Sequence, residues 1–295
     1  MVQHTYFRVG GPADAFVKPE TIEELAMLSA WLVNHEVPLM VIGSGSNLLV
    51  RDGGIQGVVV SLEKCCRRIS MGSRKGKRIT VTSGSGVKLA TLCRYALDHG
   101  LAGMNFAVGI PGTVGGGIVM NAGTRLGCMS DRLKTVTFLE PEAGPVQRSA
   151  AELNFSYRAL DLGSMVKSHR HAPPIILEAD FELQPSKSKT ALKKTAQQFA
   201  EERRSRQPIQ LPSAGCFFKN PAEGKTAGQL IDMAGLKGRR VGDAEVSTAH
   251  GNFIVNRGAA TAEDILQLKG VIQETVRKQF NVQLETEVKI VGKSA

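Results

Sequence analysis

A chain of 295 residues, 42% apolar and 22% charged, can bury a substantial core in two or three compact units. It holds no apolar run long enough to cross a bilayer, and its opening, Met1-Val2-Gln3-His4-Thr5, is not that of a secretory signal. Five cysteines, an odd number without paired spacing, fit a reducing cytosol better than a disulfide framework, so the sequon Asn154-Phe155-Ser156 reads as a chance match. The net charge of +10 invites a nucleic-acid reading. However, the basic runs Arg67-Arg68, Arg74-Lys75-Gly76-Lys77-Arg78, Arg203-Arg204-Ser205-Arg206 and Arg239-Arg240 are scattered. They have no interleaved aromatics on which bases would stack, and they read as solvated faces.

In chain order, Ala15-Phe16-Val17 reads as a short strand. Thr21 then caps a helix through Glu24, with Ile22, Leu25, Leu28 and Leu32 as its apolar face. Pro38 ends that helix, and Pro38 to Ile42 reads as a buried strand. Val58 to Val60 and Ile79 to Thr82 read as further strands. A helix from about Val87 to His99 stops at Gly100, a suitable C′ residue. Val136 to Leu139 and Ile175 to Leu183 are later strands. Composition shifts after Gln184: Ser188 to Gln207 is polar and basic with helical spacing, an exposed connector, which places a boundary near residue 185. Ala227 to Leu236, Phe253 to Asn256, a long helix from Thr261 and a closing strand from Leu284 to Ile290 form the last unit. Irregular alternation of strands and helices predicts the α+β or mixed α/β class.

Glycine is the unusual count, 32 residues against 3 Tyr and 1 Trp. Two stretches concentrate it. The first, Gly43-Ser44-Gly45-Ser46-Asn47, follows the buried strand, and its small residues let backbone N–H groups converge on an anion. It is not a dinucleotide fingerprint, because a strand piece (Leu48-Leu49-Val50) and a turn (Arg51 to Gly54) follow instead of a helix. Gly224-Lys225-Thr226 is not a Walker A loop, since Lys219 stands where the first glycine belongs. The second stretch, Gly109-Ile110-Pro111-Gly112-Thr113-Val114-Gly115-Gly116-Gly117 with Asn121-Ala122-Gly123, reads as backbone laid against a flat or extended ligand. Its rival is a glycine-lined contact between helix and strand.

His4-Thr5 with Phe7 to Asp14, the two glycine-rich loops, Ser213-Ala214-Gly215-Cys216-Phe217-Phe218-Lys219-Asn220-Pro221 and the terminal Leu284 to Gly292 segment together resemble the UDP-N-acetylenolpyruvoylglucosamine reductase family. The resemblance runs along essentially the whole chain, and five motifs in order are far more specific than one. With only some sixteen residues between Arg158 and Ile175, the chain is similar to the family's short form. The resemblance implies an α+β fold. An FAD-binding region of the vanillyl-alcohol-oxidase type would occupy residues 1–60 and 61–185 as two subdomains, with a substrate domain at 186–295. It implies a monomeric bacterial cytoplasmic enzyme with bound FAD, reduced by NADPH. The flavin would reduce the enolpyruvyl ether of UDP-N-acetylglucosamine to UDP-N-acetylmuramate, without metal, nucleic acid or membrane insertion.

By the same resemblance, FAD is expected against Ile42, Gly43, Ser44, Gly45, Ser46, Asn47 and Leu48, and against Gly109, Ile110, Pro111, Gly112, Gly115, Gly116, Asn121 and Ala122. Hydride addition to a methylene drives electrons toward the substrate carboxylate, which calls for a cationic or hydrogen-bonding partner and then a proton. Arg158 and Glu287 match the first need, the glutamate as an acid of raised pKa, and Cys216 the second. Alternation leaves Glu285 and Glu287 on one strand face and Leu284, Thr286, Val288 and Ile290 on the other, so spacing does not choose between the glutamates; the family register selects Glu287. Cys216 stands where many relatives carry serine, and a thiol, with an ordinary pKa of about 8.5, can donate the proton. Tyr157, Arg206, Lys219, Asn220 and Lys225 match positions that contact substrate, and His250 sits near another polar position of the family. Two local departures, the missing aromatic after Asn121-Ala122-Gly123 and Ala159 after the arginine, bear on loop shape. His169 and His171 read as incidental, and Cys65-Cys66 is no metal motif. Two rivals remain at this level: a basic nucleic-acid-binding protein that keeps the fold, and a flavin oxidase using the same loops on another substrate.

Overall fold

The computed structural model describes residues 1–140, 143–163 and 173–295; His169 and His171 lie outside the described residues. The chain divides into two compact units. One comprises Met1–Asp14, Gly45–Gln56 and Glu202–Ala295, the other Ala15–Ser44 and Gly57–Glu201. Both mix helices and strands, and the α+β class expected from the sequence holds.

In the Ala15–Ser44 and Gly57–Glu201 unit the main sheet is antiparallel, in the order Gly144–Ser149, Leu133–Glu140, Ile175–Pro185, Arg78–Gly84, Ile69–Lys75. Its central strand shows why it forms: Leu177, Ala179, Phe181 and Leu183 are buried, and Glu178, Asp180 and Glu182 alternate to the other face. The Leu89–Asp98 helix lays Leu89, Leu92, Cys93 and Ala96 on the buried face with Phe138 and Phe181. A smaller core gathers Leu25 and Leu32 of the Ile22–Asn34 helix with Leu39, Val60 and Leu177. There the strands Leu39–Ile42 and Ile55–Ser61 run parallel. Two local details differ from expectation. Glu24 reaches back to the N–H of Glu20, one residue before the cap, while Thr21 Oγ1 accepts from Glu24. Ile22 lies on the exposed margin of the apolar face, leaving Leu25, Ser29 and Leu32 as the buried stripe.

The other unit is organised by the Ala262–Phe280 helix. Ile265, Leu268, Ile272 and Val276, at helical spacing, are fully buried with Phe217, Leu230 and Val246, each burial stabilising by about 2 kcal/mol before ordering costs. Thr261 and Asp264 form its capping box. In addition, the two oxygens of Asp52 accept from the N–H groups of Ala262 and Glu263, each at 2.9 Å. Asn281, at φ +55°, ends the helix in the left-handed conformation. Arg240–Val241, Ala244–Val246 and Ile254–Asn256 form a three-stranded antiparallel sheet.

The closing strand is shorter than its alternating pattern predicts. Only Lys289–Val291 forms a ladder, parallel to Leu48–Val50. Residues 285–287 instead bond to the Phe217–Lys219 segment, through Glu285 O to Lys219 N and Glu287 N to Phe217 O. The chain changes partner around Val288, from the Phe217–Lys219 segment to Leu48–Val50.

Candidate active site

The second glycine-rich stretch is not loop throughout. Val114–Val119 is a short helix, with Thr113 Oγ1 accepting from Gly116 N. Three glycines are poor helix formers, but a Cβ at Gly115 would come 2.9 Å from Ser85 Cβ, and one at Gly117 would come 3.2 Å from Leu89 Cδ1. Those two residues are therefore explained by the protein's own packing, the rival to the ligand reading. Gly109 and Gly112 sit at φ +75° and +127°, and Gly109, Pro111 and Gly116 are exposed. A Cβ on Gly43 would overlap Thr113 Oγ1, so the end of the Leu39–Ile42 strand and the second stretch approach closely.

In the first stretch, Gly45 is buried at φ +64°, and a Cβ there would overlap the His4 carbonyl oxygen. Its carbonyl accepts from Tyr6 N, so this glycine seats the His4-Thr5 segment. Ile42 and Leu48 are buried, while Ser44, Ser46 and Asn47 are half-exposed. Asn47 also ties the stretch to the end of the chain. Its Nδ2 donates to Glu287 O at 3.0 Å, and its own carbonyl accepts from Lys289 N at 3.1 Å. Within their own units, the half-exposed Ser46 and Asn47, and the half-exposed Ser44 with the exposed Gly109 and Pro111, are small or neutral groups of the kind that a diphosphate and a flat ring accept.

Arg158 occupies the two-residue turn of the hairpin Asn154–Ser156 and Ala159–Asp161. It holds φ +60°, a conformation that costs an ordinary side chain about 1–3 kcal/mol and clusters at functional sites. Its Nη2 donates to Gly123 O at 2.8 Å, and its guanidinium lies 5.0 Å from the centre of the exposed Tyr157 ring. Asn121, buried and at φ +39°, closes the same turn: Nδ2 donates to Ser156 O at 3.0 Å and Oδ1 accepts from Ser130 N at 3.1 Å. The expected FAD contacts Asn121 and Ala122 thus join directly onto the arginine turn, and Ala122 itself bonds Gly117 and Met129 through its backbone.

Cys216 and Glu287 are brought together in the Met1–Asp14, Gly45–Gln56 and Glu202–Ala295 unit. Cys216 bridges to Phe253, and the carbonyl of its neighbour Phe217 accepts from Glu287 N at 2.9 Å. Both residues are half-exposed beside the buried rings of Phe217 and Phe218. The glutamates that spacing could not separate differ here. Glu285 is exposed and pairs with Lys219 at 3.4 Å, whereas Glu287 is half-buried on the Phe217 segment. Asn220 Oδ1 accepts from Ala227 N at the start of the Ala227–Met233 helix, and the exposed Lys225 precedes that helix's cap, Thr226. Arg206 sits apart on the last turn of Lys189–Arg206, exposed and paired with Glu202 at 3.2 Å.

Sequence reading missed Asn252, whose only sign was a polar residue beside the apolar run Phe253 to Val255. It is 3% exposed and grips Phe218 with both ends of its amide, at 2.9 Å to N and 2.8 Å to O. His250 supports it, with Nδ1 accepting from Asn252 N at 3.2 Å. Burial, then the charge of Lys237, hold the His250 imidazole below its ordinary pKa, against a smaller opposing backbone hydrogen bond.

A family model described as UDP-N-acetylenolpyruvoylglucosamine reductase, C-terminal domain, matches residues 207–291, and one described as FAD binding domain matches residues 13–149. The UDP-N-acetylenolpyruvoylglucosamine reductase of Desulfosudis oleivorans is 48% identical across 99% of this chain and 93% of its own length. The chain belongs to the UDP-N-acetylenolpyruvoylglucosamine reductase family. That of Clostridium novyi is 40% identical over the full chain and 91% of its own. The solved structure of the Thermus caldophilus reductase, 35% identical, superposes with a TM-score of 0.78, covering 98% of this chain and 96% of its own. The protein is an oxidoreductase with an FAD binding domain. No helix among the described residues is long and apolar enough to cross a membrane.

Proposed function

We propose that this enzyme reduces the enolpyruvyl ether of UDP-N-acetylglucosamine to UDP-N-acetylmuramate, a peptidoglycan precursor, with NADPH as the electron source. When bound, FAD supplies the hydride. The residues that would hold it are the half-exposed Ser44, Ser46 and Asn47 with the backbone of Gly43, Gly45, Gly109, Gly112 and Gly116, flanked by Ile42, Leu48, Ile110, Pro111, Gly115, Asn121 and Ala122.

The methylene carbon gains a C–H bond, the double bond breaks, and its electron pair moves onto the adjacent carbon and the carboxylate. Arg158 is suited to that charge, being permanently cationic and held rigid by Gly123 O and the Tyr157 ring. Glu287, as an acid, would donate a hydrogen bond to the same carboxylate. The Cys216 thiol would then give its proton to the adjacent carbon, forming the second C–H bond, and recover one from solvent. Tyr157, Lys219, Asn220 and Lys225 are assigned to the sugar nucleotide. Arg206 is assigned there by family register alone, its guanidinium being paired with Glu202.

The observation that carries the reading is the direct hydrogen bond from Glu287 N to Phe217 O, which ties the segment that bears the thiol to the one that bears the family's glutamate. A visible spectrum of the purified protein, followed by NADPH oxidation with and without the enolpyruvyl sugar nucleotide, tests it. A yellow protein whose turnover requires that substrate is expected. A colourless chain that FAD cannot reconstitute, or NADPH oxidation indifferent to the substrate, overturns it. Cys216→Ser retains measurable turnover and Cys216→Ala loses protonation, while NADPH still reduces the flavin in both; undiminished turnover in Cys216→Ala removes the thiol from the mechanism.

A further inference from the structure

We infer that Asn252 is a positioning residue for proton delivery: its buried amide sets the register of the segment that carries Cys216 and receives Glu287. The inference rests on the proton-donor role proposed for Cys216.

Three hydrogen bonds tie Asn252 to that segment. Its carbonyl accepts from Phe217 N at 2.8 Å, its Oδ1 accepts from Phe218 N at 2.9 Å, and its Nδ2 donates to Phe218 O at 2.8 Å. An amide side chain that pairs with both polar groups of one residue substitutes for a neighbouring strand, and it fixes the segment along its length as a ladder would. The bridge between Cys216 and Phe253 adjoins this clamp on one side. On the other, Phe217 O and Lys219 N bond to Glu287 N and Glu285 O, so the same segment sets where the glutamate backbone lies.

Buried apolar contacts on Phe217 and Phe218 resist lateral movement but tolerate sliding, whereas the paired amide bonds do not. Asparagine is required for its pairing of one acceptor with one donor. A leucine satisfies neither group of Phe218. An aspartate keeps the acceptor for Phe218 N but sets a carboxylate oxygen against Phe218 O. His250 Nδ1, accepting from Asn252 N, holds the backbone from which the amide projects.

The test compares the flavin-loaded wild-type enzyme with Asn252→Asp, Cys216→Ala and the double variant. Flavin reduction by NADPH, reoxidation by the enolpyruvyl substrate, substrate affinity and thermal midpoint are read separately, and so is the stereochemical purity of the lactyl carbon formed by protonation. Misplacing a reacting group by about 1 Å costs about a hundredfold. Asn252→Asp is therefore expected to leave NADPH reduction of the flavin and substrate affinity within about twofold. It should slow reoxidation ten- to a hundredfold on the order of such a displacement and yield a mixture of lactyl epimers as solvent replaces the thiol. On the Cys216→Ala background the same substitution should add little, because the donor it positions is gone. A normal rate and a single epimer in Asn252→Asp overturn the inference, as does a loss that multiplies fully with that of Cys216→Ala, or one shared equally by both half-reactions. If Asn252→Asp fails to fold, Asn252→Ser, which is smaller, uncharged and falls short of the paired contacts with Phe218, carries the same comparison. Full reoxidation in Cys216→Ala instead removes the proton-donor reading and leaves the clamp as a purely structural feature.

Discussion

Replacing Asn121 by alanine should destabilise the enzyme and disable Arg158 in one step. The buried amide bonds Ser156 O and Ser130 N in two part-buried hydrogen bonds, so alanine loses both, at about 0.5–1.5 kcal/mol each. The backbone at φ +39° adds about 1 kcal/mol, since asparagine tolerates the left-handed region and alanine does not. Together these come to about 2–4 kcal/mol. At about 2–4 °C per kcal/mol for a unit of this size, the thermal midpoint should fall by about 4–16 °C. Asn121→Asp keeps the Ser130 acceptor and the backbone tolerance but sets a carboxylate oxygen against the exposed Ser156 O, so it should fall by less than alanine does. Scanning calorimetry gives both numbers, and stopped-flow reoxidation of the reduced enzyme reads the effect on Arg158. A drop of under 2 °C in Asn121→Ala, or equal drops in both variants, would falsify the assignment of those two bonds as the reason for asparagine there.

Gly45→Ala combines a positive φ with backbone overlap on His4, so the His4-Thr5 segment must shift; reduced FAD retention and a thermal midpoint lower by several degrees are expected, and a variant indistinguishable from wild type in spectrum and melting counts against the packing argument. His250 supplies a pH dependence. Its folded pKa lies below the ordinary value of 6.5, so the unfolded chain takes up the proton first. This contribution to stability is full above about pH 6.5 and declines as pH falls from there through the lowered folded value. Urea unfolding between pH 8 and 5 should show wild type losing more stability than His250→Gln; parallel curves would contradict the shift.

Much of the architecture was readable because it rests on local pattern. Thr21, Gly100 and Thr261 mark helix ends by short-range bonding, and the alternation of Leu177, Ala179, Phe181 and Leu183 is a strand at sight. The failures came where tertiary contacts decide. Alternation in Leu284 to Ile290 could not reveal that 285–287 and 289–291 bond to different partners. Gly115 and Gly117 also make room for Ser85 and Leu89, a packing role that no spacing in the second stretch announces. At the candidate site, Arg158, Cys216 and Glu287 were named only through family register. Glu285 is exposed and pairs with Lys219 while Glu287 is half-buried on the Phe217 segment, a difference that alternation does not encode, and the clamp by Asn252 depends on a residue thirty-four positions from Phe218.

The pairing of Leu48–Val50 with Lys289–Val291 also sets an order of events during synthesis. These strand residues emerge long before their parallel partner, which follows only after the whole of the intervening chain has been made. Ala15–Ser44 and Gly57–Glu201 contain their own sheet and cores and can condense while the remainder is still being made. Leu48, Leu49 and Val50, all buried in the finished enzyme, must meanwhile wait as an apolar, unpaired edge. A nascent chain stalled short of Lys289 would keep that edge exposed, so arrival of Lys289–Val291 is the step that protects it from pairing with neighbouring chains.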